Sequence, residues 1–294
     1  MPLSRASKRS PTDCKELGAE FGVVVHAGVR SARSSWRVIL KSTFFAFRPN
    51  YTYEQALALQ GVLSAENFTG LLAFEPPETI TLGRGSCREK DIVVSESFLR
   101  QRQIQLLSTD RGGNTAFHGP GQLMGFPIVS LKEIYGDAKA IKRFAEELLL
   151  GLAHACAVLG VKSVSTRTDF PGLWTSRGLL ATVAINVKDG FVFHGFSLNV
   201  NQTCLPGFGL INAFGISNCP ITTLEQEGVS VSSVKDLATS ILPYLSVIQG
   251  EEIYRRSKTV SYESSYTNLV STVARSQMAI DHFRTNMESI RNGE

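Results

Sequence analysis

The sequence predicts an α+β fold, and three observations carry that prediction. Segments with apolar residues at helical spacing are interleaved with short apolar runs of strand length. Two long runs either side of Lys188-Asp189-Gly190 form a hairpin pattern, which demands antiparallel pairing. No βαβ unit repeats, as a doubly wound sheet would require.

The elements follow in order. "VILKSTFFAF" reads as a strand, and "TYEQALALQGVLSAEN" as a helix with Thr52 as its N-cap. "GLLAFEPP" and "TITLGRG" read as two short strands separated by Pro76-Pro77. "SESFLRQRQ" reads as a short helix and "IQLLSTD" as a buried strand. The segment "RGGNTAFHGPGQ" holds four glycines and a proline and is expected to be a loop, because glycine weakens regular structure and proline removes a donor. "LMGFPIVSL" is the next buried strand. "DAKAIKRFAEELLLGLAHACAVLG" is the longest helix, with Asp137 as cap, an apolar face through Ile141, Phe144, Leu148 and Leu152, and Gly160 as its stop. "LLATVAINV" and "FVFHGFSLNV" make the hairpin, and a last helix from Ser232 to Ile248 is bent or shortened by Pro243.

The chain has 294 residues, 43% hydrophobic and 19% charged, enough for one large domain or two small ones. A net charge of +4 without a Lys/Arg stripe or interleaved aromatics gives nucleic-acid binding little support. Five cysteines, Cys14, Cys87, Cys156, Cys204 and Cys219, stand without C-x-x-C pairs, which argues against structural zinc and a disulfide framework and fits a reducing compartment. No apolar run approaches the length of a membrane span. Residues 1–37 form a basic extension expected to be disordered. The first 41 residues hold eight Lys/Arg against three Asp/Glu, a composition shared with organelle-targeting segments. Because Asp13, Glu16 and Glu20 interrupt that pattern, a cytoplasmic location is expected, with a mitochondrial one as the alternative. Residues 251–294 form a polar tail in which a helix is expected from Leu269 to Ile290.

A glycine-rich loop between core strands, carrying one Arg and one His, is suited to presenting backbone N–H groups to a ligand. His118 and His194 each have two readings, facing a ligand or bonding a backbone carbonyl to pin a loop. Arg111 has two as well, meeting an acidic partner or anchoring the loop through an ion pair. No G-x-S-x-G elbow, H-E-x-x-H or P-loop is present.

The run "RGGNTAFHGPGQLMGFPIVSL" resembles the signature of the octanoyltransferases of lipoate assembly, the lipoate-protein ligase B family within the biotin and lipoate ligase fold. "YEQALALQ", "EPPETITLGRG", "STDRGG", "GLW", "HGFSLNV", "LIN" and "TTL" match in order, covering residues 38–250, the expected catalytic domain. The resemblance implies a mixed β-sheet flanked by helices. It implies transfer of an octanoyl group from acyl carrier protein, through an enzyme cysteine, to a lysine of a lipoyl domain, on 2-oxoacid dehydrogenase complexes or the glycine cleavage H protein. It implies no cofactor, metal, nucleic acid or membrane. Its acyl site would comprise Arg111, Gly112, Gly113, Asn114, Thr115, Ala116, Phe117 and His118, with Thr182, Val183, Ala184, Gly195, Phe196 and Ser197 as further walls.

One part of the pattern is broken. The family pairs a cysteine with a lysine whose ammonium favours the attacking thiolate. At the cysteine position, in "LINAFGI", stands Phe214; at the lysine position stands Leu179. Arg177 and Lys188, the basic residues in or beside that strand, are out of register with it. The resemblance therefore implies reduced or lost activity. Cys219 is the substitute nucleophile on offer, with Cys204 behind it, and each has the alternative reading of an incidental buried thiol. The rival readings are a non-catalytic protein that binds an acyl group or a lipoyl domain, and an ATP-dependent lipoate ligase, which the missing lysine disfavours.

Overall fold

The computed structural model describes residues 24–26, 43–167 and 172–249. In chain order the elements are β1 (Val24–His26), β2 (Thr43–Pro49), α1 (Tyr53–Ala65), β3 (Thr69–Glu75), β4 (Thr79–Leu82), α2 (Arg88–Asp91), α3 (Glu96–Gln101), β5 (Gln105–Ser108), β6 (Ala116–His118), β7 (Gln122–Ile128), α4 (Leu131–Tyr135), α5 (Ile141–Val158), β8 (Ser165–Thr166), β9 (Gly172–Trp174), β10 (Leu179–Lys188), β11 (Phe191–Asn199), α6 (Leu205–Phe208), α7 (Val234–Ile241) and α8 (Ser246–Gln249).

An eight-stranded mixed sheet runs β1-β2-β3-β7-β11-β10-β9-β8, and a three-stranded sheet runs β5-β4-β6. The pairs β2–β3 and β4–β5 are parallel and the rest antiparallel, so the architecture is α+β with helices against the sheet. Local chemistry sets the key elements. Helix α1 opens with a capping box, in which the Gln55 N–H donates to Thr52 Oγ1 at 3.2 Å and the Thr52 N–H donates to Gln55 Oε1 at 3.0 Å. The β10–β11 hairpin turns on Asp189 (φ 51°) and Gly190 (φ 80°), the left-handed pair that a tight two-residue turn needs.

Strand alternation divides the core between the two faces of the large sheet. Along β7, Leu123 joins α5, α7 and α8 on one face, while Met124, Phe126 and Ile128 join Ala56, Leu59 and Leu63 of α1 on the other. A third cluster of Ile80, Leu99, Ile104, Phe117, Ile211 and Ala213 backs the small sheet. Among the described residues, no helix is long and apolar enough to cross a membrane.

Four expectations are corrected. The segment "RGGNTAFHGPGQ" is not all loop: its glycines cluster at the ends and leave Ala116–His118 free to pair with Thr79–Thr81. "IQLLSTD" is only partly buried, because β5 is an edge strand. Asp137 does not cap α5; its carboxylate accepts from the Lys139 N–H at 2.8 Å and closes a turn upstream, leaving Ala140 as an N-cap without a side-chain bond. Within the extension expected to be disordered, Val24–His26 pair with β2, since two adjacent valines suit a strand. The rest of residues 1–37 and the tail 251–294, with its expected helix, lie outside the described residues.

Candidate functional site

The two sheets meet where β5 runs through Asp110–Thr115 into β6 and then through Gly119–Gly121 into β7. Backbone bonds hold this path. The Arg84 N–H donates to the Arg111 carbonyl at 3.1 Å, the Gly85 N–H to the Gly113 carbonyl at 3.0 Å, and the Gly112 N–H reaches across to Ile185 of β10 at 3.1 Å. Such contact requires glycine: a Cβ on Gly83 would lie 2.3 Å from the Gly113 carbonyl oxygen. At the far end, Gln122 Oε1 accepts from the Gly119 N–H at 3.0 Å while its Nε2 donates to Asn199 Oδ1 at 2.7 Å. Asn199 in turn donates to the carbonyls of Leu179 and Thr222, at 3.2 and 3.1 Å. Gln122 and Asn199 thus satisfy each other in the core, which explains why a Gly-Pro-Gly-Gln turn and an "LNV" strand end occur together.

Arg111 is 2% exposed. Its Nε and Nη2 both donate to Thr81 Oγ1, at 3.1 and 2.8 Å; Nη2 also donates to the Thr81 carbonyl at 2.8 Å, and Nη1 donates to the Gly112 carbonyl at 2.9 Å. It anchors the loop through neutral acceptors, not through the ion pair that one sequence reading offered. His118 Nε2 lies 3.0 Å from the same Thr81 hydroxyl. Burial first, then the nearby charges of Arg111 and His194, push the His118 pKa down to about 3, so its ring is neutral.

His194 is fully buried at a left-handed φ of 59°. Gln60 clamps that backbone, accepting from the His194 N–H at 2.9 Å and donating to its carbonyl at 3.0 Å. The ring spans two partners: Nε2 lies 2.7 Å from Asp110 Oδ1, and Nδ1 lies 2.8 Å from the Tyr53 hydroxyl. Asp110 also takes Lys188 Nζ at 2.7 Å and Asn186 Nδ2 at 3.0 Å. Burial acts to raise the Asp110 pKa, but the bonds from Lys188 and His194 outweigh it and hold the carboxyl well below the usual range. Burial lowers the pKa of His194 and raises that of Tyr53.

Between these groups lies a cavity with about 290 Å³ of empty space including its mouth. Its walls are Tyr53, Arg111, Ala116, His118, Met124, Phe126, Thr182, Ala184, Gly195, Phe196, Ser197 and Phe214. Of the residues anticipated from the sequence, Arg111, Ala116, His118, Thr182, Ala184, Gly195, Phe196 and Ser197 come together here. Gly112, Gly113, Asn114 and Thr115 shape the loop behind the wall. Phe117 and Val183 fall outside the lining because adjacent strand residues face opposite ways; they pack in the small-sheet cluster and the main core. Sequence reasoning did not single out Tyr53, Met124 and Phe126, nor Thr81, Gln60 and Asp110 behind them. Tyr53 and Gln60 lie seven apart on one face of "YEQALALQ", and Met124 and Phe126 alternate along "LMGFPI"; those periodicities were the available signals.

No cysteine stands among the lining residues. Phe214 does, at a left-handed φ of 59°, its N–H donating to the Thr115 carbonyl at 3.1 Å and its carbonyl accepting from Asn114 Nδ2 at 3.0 Å. Leu179 is 2% exposed at the start of β10, outside the lining. Cys219 is half-buried in the cluster behind Phe214, and burial raises its thiol pKa while Arg167 lowers it. Cys204 is fully buried, with its thiol pushed up to about 12 by burial and its Sγ donating to the Asn201 carbonyl at 3.2 Å.

This architecture is that of the lipoate ligases. It superposes on a lipoate-protein ligase A bound with ATP (TM-score 0.54, 13% identity, covering 76% of this chain and 91% of the other). It also superposes on the bipartite lipoate protein ligase of Thermoplasma acidophilum, studied with its E2 lipoyl domain (TM-score 0.55, 12% identity, 76% and 89%). Residues 49–261 match the lipoyl protein ligase A/B catalytic domain. The octanoyltransferase of Geobacter metallireducens is 38% identical over 178 residues, 59% of this chain and 78% of the relative; that of Caldicellulosiruptor bescii is 31% identical over 206 residues, 68% and 89%. The chain belongs to the lipoyl protein ligase A/B family and is an octanoyltransferase relative within it.

Proposed function

We propose that this chain serves lipoate assembly as an octanoyl-binding member of its family, with transferase activity reduced or lost. The observation that carries this reading is that Phe214, not a cysteine, faces the cavity. Thiolate attack on an acyl carbonyl needs a low-pKa thiol beside the bound thioester. Cys204 and Cys219 both have raised thiol pKa values and stand outside the lining. The binding half of the site has support of its own. Met124, Phe126, Phe196 and Phe214 form an apolar wall, the kind of surface against which an alkyl chain packs. By family, the donor side is octanoyl-acyl carrier protein and the acceptor side a lipoyl domain of a 2-oxoacid dehydrogenase complex or the glycine cleavage H protein.

The test is intact-protein mass spectrometry after mixing with octanoyl-acyl carrier protein, followed by hydroxylamine treatment and peptide mapping. The expected result is no covalent adduct together with measurable octanoate retention. A hydroxylamine-labile octanoyl group on Cys219 or Cys204 would show a relocated nucleophile and overturn the non-covalent reading. Neither adduct nor retention would overturn acyl binding itself.

A further inference from the structure

The bonds around Thr81 fix the tautomer of His118. A threonine hydroxyl offers two lone pairs and one proton. Arg111 Nε and Nη2 both donate to Thr81 Oγ1, at 3.1 and 2.8 Å, and occupy both lone pairs. The contact of 3.0 Å to His118 Nε2 is then made by the hydroxyl proton, and Nε2 is its acceptor. A neutral imidazole that accepts at Nε2 carries its proton on Nδ1. That Nδ1 is buried without a hydrogen-bond partner, in a residue that is 4% exposed and lines the cavity. The Tyr53 ring, stacked on His118 with centroids 5.5 Å apart and 27° between planes, holds the imidazole in place.

We propose that His118 Nδ1–H is a preorganised donor for the acyl oxygen at the head of the cavity's ligand, set by an Arg111–Thr81–His118 relay. The ligand class is an alkyl chain ending in a carbonyl or carboxylate oxygen, supplied as a thioester or as a free fatty acid. Two features select that class. A buried N–H without a partner favours a ligand that brings an acceptor over one that is apolar throughout. The Arg111 guanidinium, bonded only to neutral oxygens, adds uncompensated positive charge beside the donor and so favours oxygen carrying negative charge. Thr81 and Arg111 are positioning residues, since each acts through the ring. The inference rests on the proposed acyl-binding function and adds the residue that recognises the acyl head.

The experiment pairs long-range ¹H–¹⁵N NMR of the histidine rings with calorimetric binding of octanoate, octanoyl-pantetheine and S-octyl-pantetheine, which lacks the carbonyl. In the unliganded protein His118 is expected to show a protonated Nδ1 and a bare Nε2. Its Nδ1 signal should move when octanoate or octanoyl-pantetheine is added, whichever source the site takes. S-octyl-pantetheine should bind about tenfold more weakly, the worth of one hydrogen bond in a buried site. His118→Phe should abolish the preference for the carbonyl probe. Thr81→Val should move the proton to Nε2, and Thr81→Ser should restore the original tautomer. Should these variants fail to fold, the wild-type tautomer and the pair of pantetheine probes still decide. A proton on Nε2, or equal affinity for the two pantetheine probes, refutes the donor role and leaves acyl binding intact. Failure of all three probes to bind refutes the proposed function and this inference with it.

Discussion

Replacing Tyr53 by Phe isolates one atom. Tyr53 is 1% exposed, and its ring packs edge-on against Phe126 at 5.2 Å and near His118 and His194 at 5.5 and 5.9 Å; phenylalanine keeps all of these contacts. What is lost is the hydroxyl, 2.8 Å from His194 Nδ1. Asp110 is an ionised carboxylate and can only accept, so His194 Nε2 donates to it and Nδ1 presents a lone pair to the Tyr53 proton. In Tyr53→Phe that lone pair is left buried and unpaired, a loss of about 1–3 kcal/mol. Urea unfolding followed by circular dichroism should show it: with a slope of about 1–3 kcal/mol per molar, the midpoint falls by roughly 1 M while the slope is unchanged. The deficit also has a pH signature. Without the hydroxyl proton opposite, Nδ1 takes a proton more readily, so the folded variant has a higher His194 pKa than the wild type, which burial holds below 6.5, and the deficit shrinks as pH falls below about 6.5. A loss below about 0.5 kcal/mol, or a deficit that does not vary with pH, would refute the assignment of Nδ1 as a buried acceptor.

Three further outcomes are expected. The His118 pKa is pushed down from 6.5 to about 3 in the folded state, so the unfolded chain binds the extra proton first; stability is full above about pH 6.5 and falls as pH drops toward 3. Its slope is at most about 1.4 kcal/mol per pH unit, and His118→Phe should flatten it in urea titrations across that range. Maleimide labelling of the native protein at pH 7.5, read by peptide mapping, should spare Cys156 and Cys204, both fully buried with thiol pKa values pushed up to about 12 by burial, and should reach Cys87 and Cys219, which are partly exposed. Phe214→Cys combined with Leu179→Lys should create a hydroxylamine-labile octanoyl adduct at position 214 on incubation with octanoyl-acyl carrier protein; a variant that folds and forms none would show that the catalytic positions lie elsewhere.

What the sequence disclosed was local, and what it concealed was not. The Thr52 N-cap of α1, the Asp-Gly turn of the hairpin and the Gly160 stop after α5 each rest on a few neighbouring residues, and each is found in the fold. Residues that position the site act over long separations: Gln60 on His194, Thr81 on His118, Asp110 on His194. Nothing in the spacing of one chain shows which distant hydroxyl or amide will meet a given imidazole. The His-Gly-Pro-Gly-Gln run was visible, but its role was only half legible. His118 makes no bond to a backbone carbonyl, and the run's glutamine, not its histidine, closes the turn.

That division of labour makes the signature segment a structural unit in its own right. Its glycines serve close backbone approach, Gln122 serves Asn199, and Arg111 serves Thr81; none of these contacts involves a side chain at position 214 or 179. Both of those positions are themselves held through the backbone. The Leu179 N–H donates to the Pro220 carbonyl at 2.8 Å, its own carbonyl accepts from Thr222 and Asn199, and Phe214 is fixed between Thr115 and Asn114. A left-handed conformation costs a residue other than glycine about 1–2 kcal/mol, and here the surrounding bonds impose it on Phe214 whatever the side chain prefers. The fold therefore delivers the side chain at 214 to the cavity wall through backbone contacts that do not depend on what that side chain is.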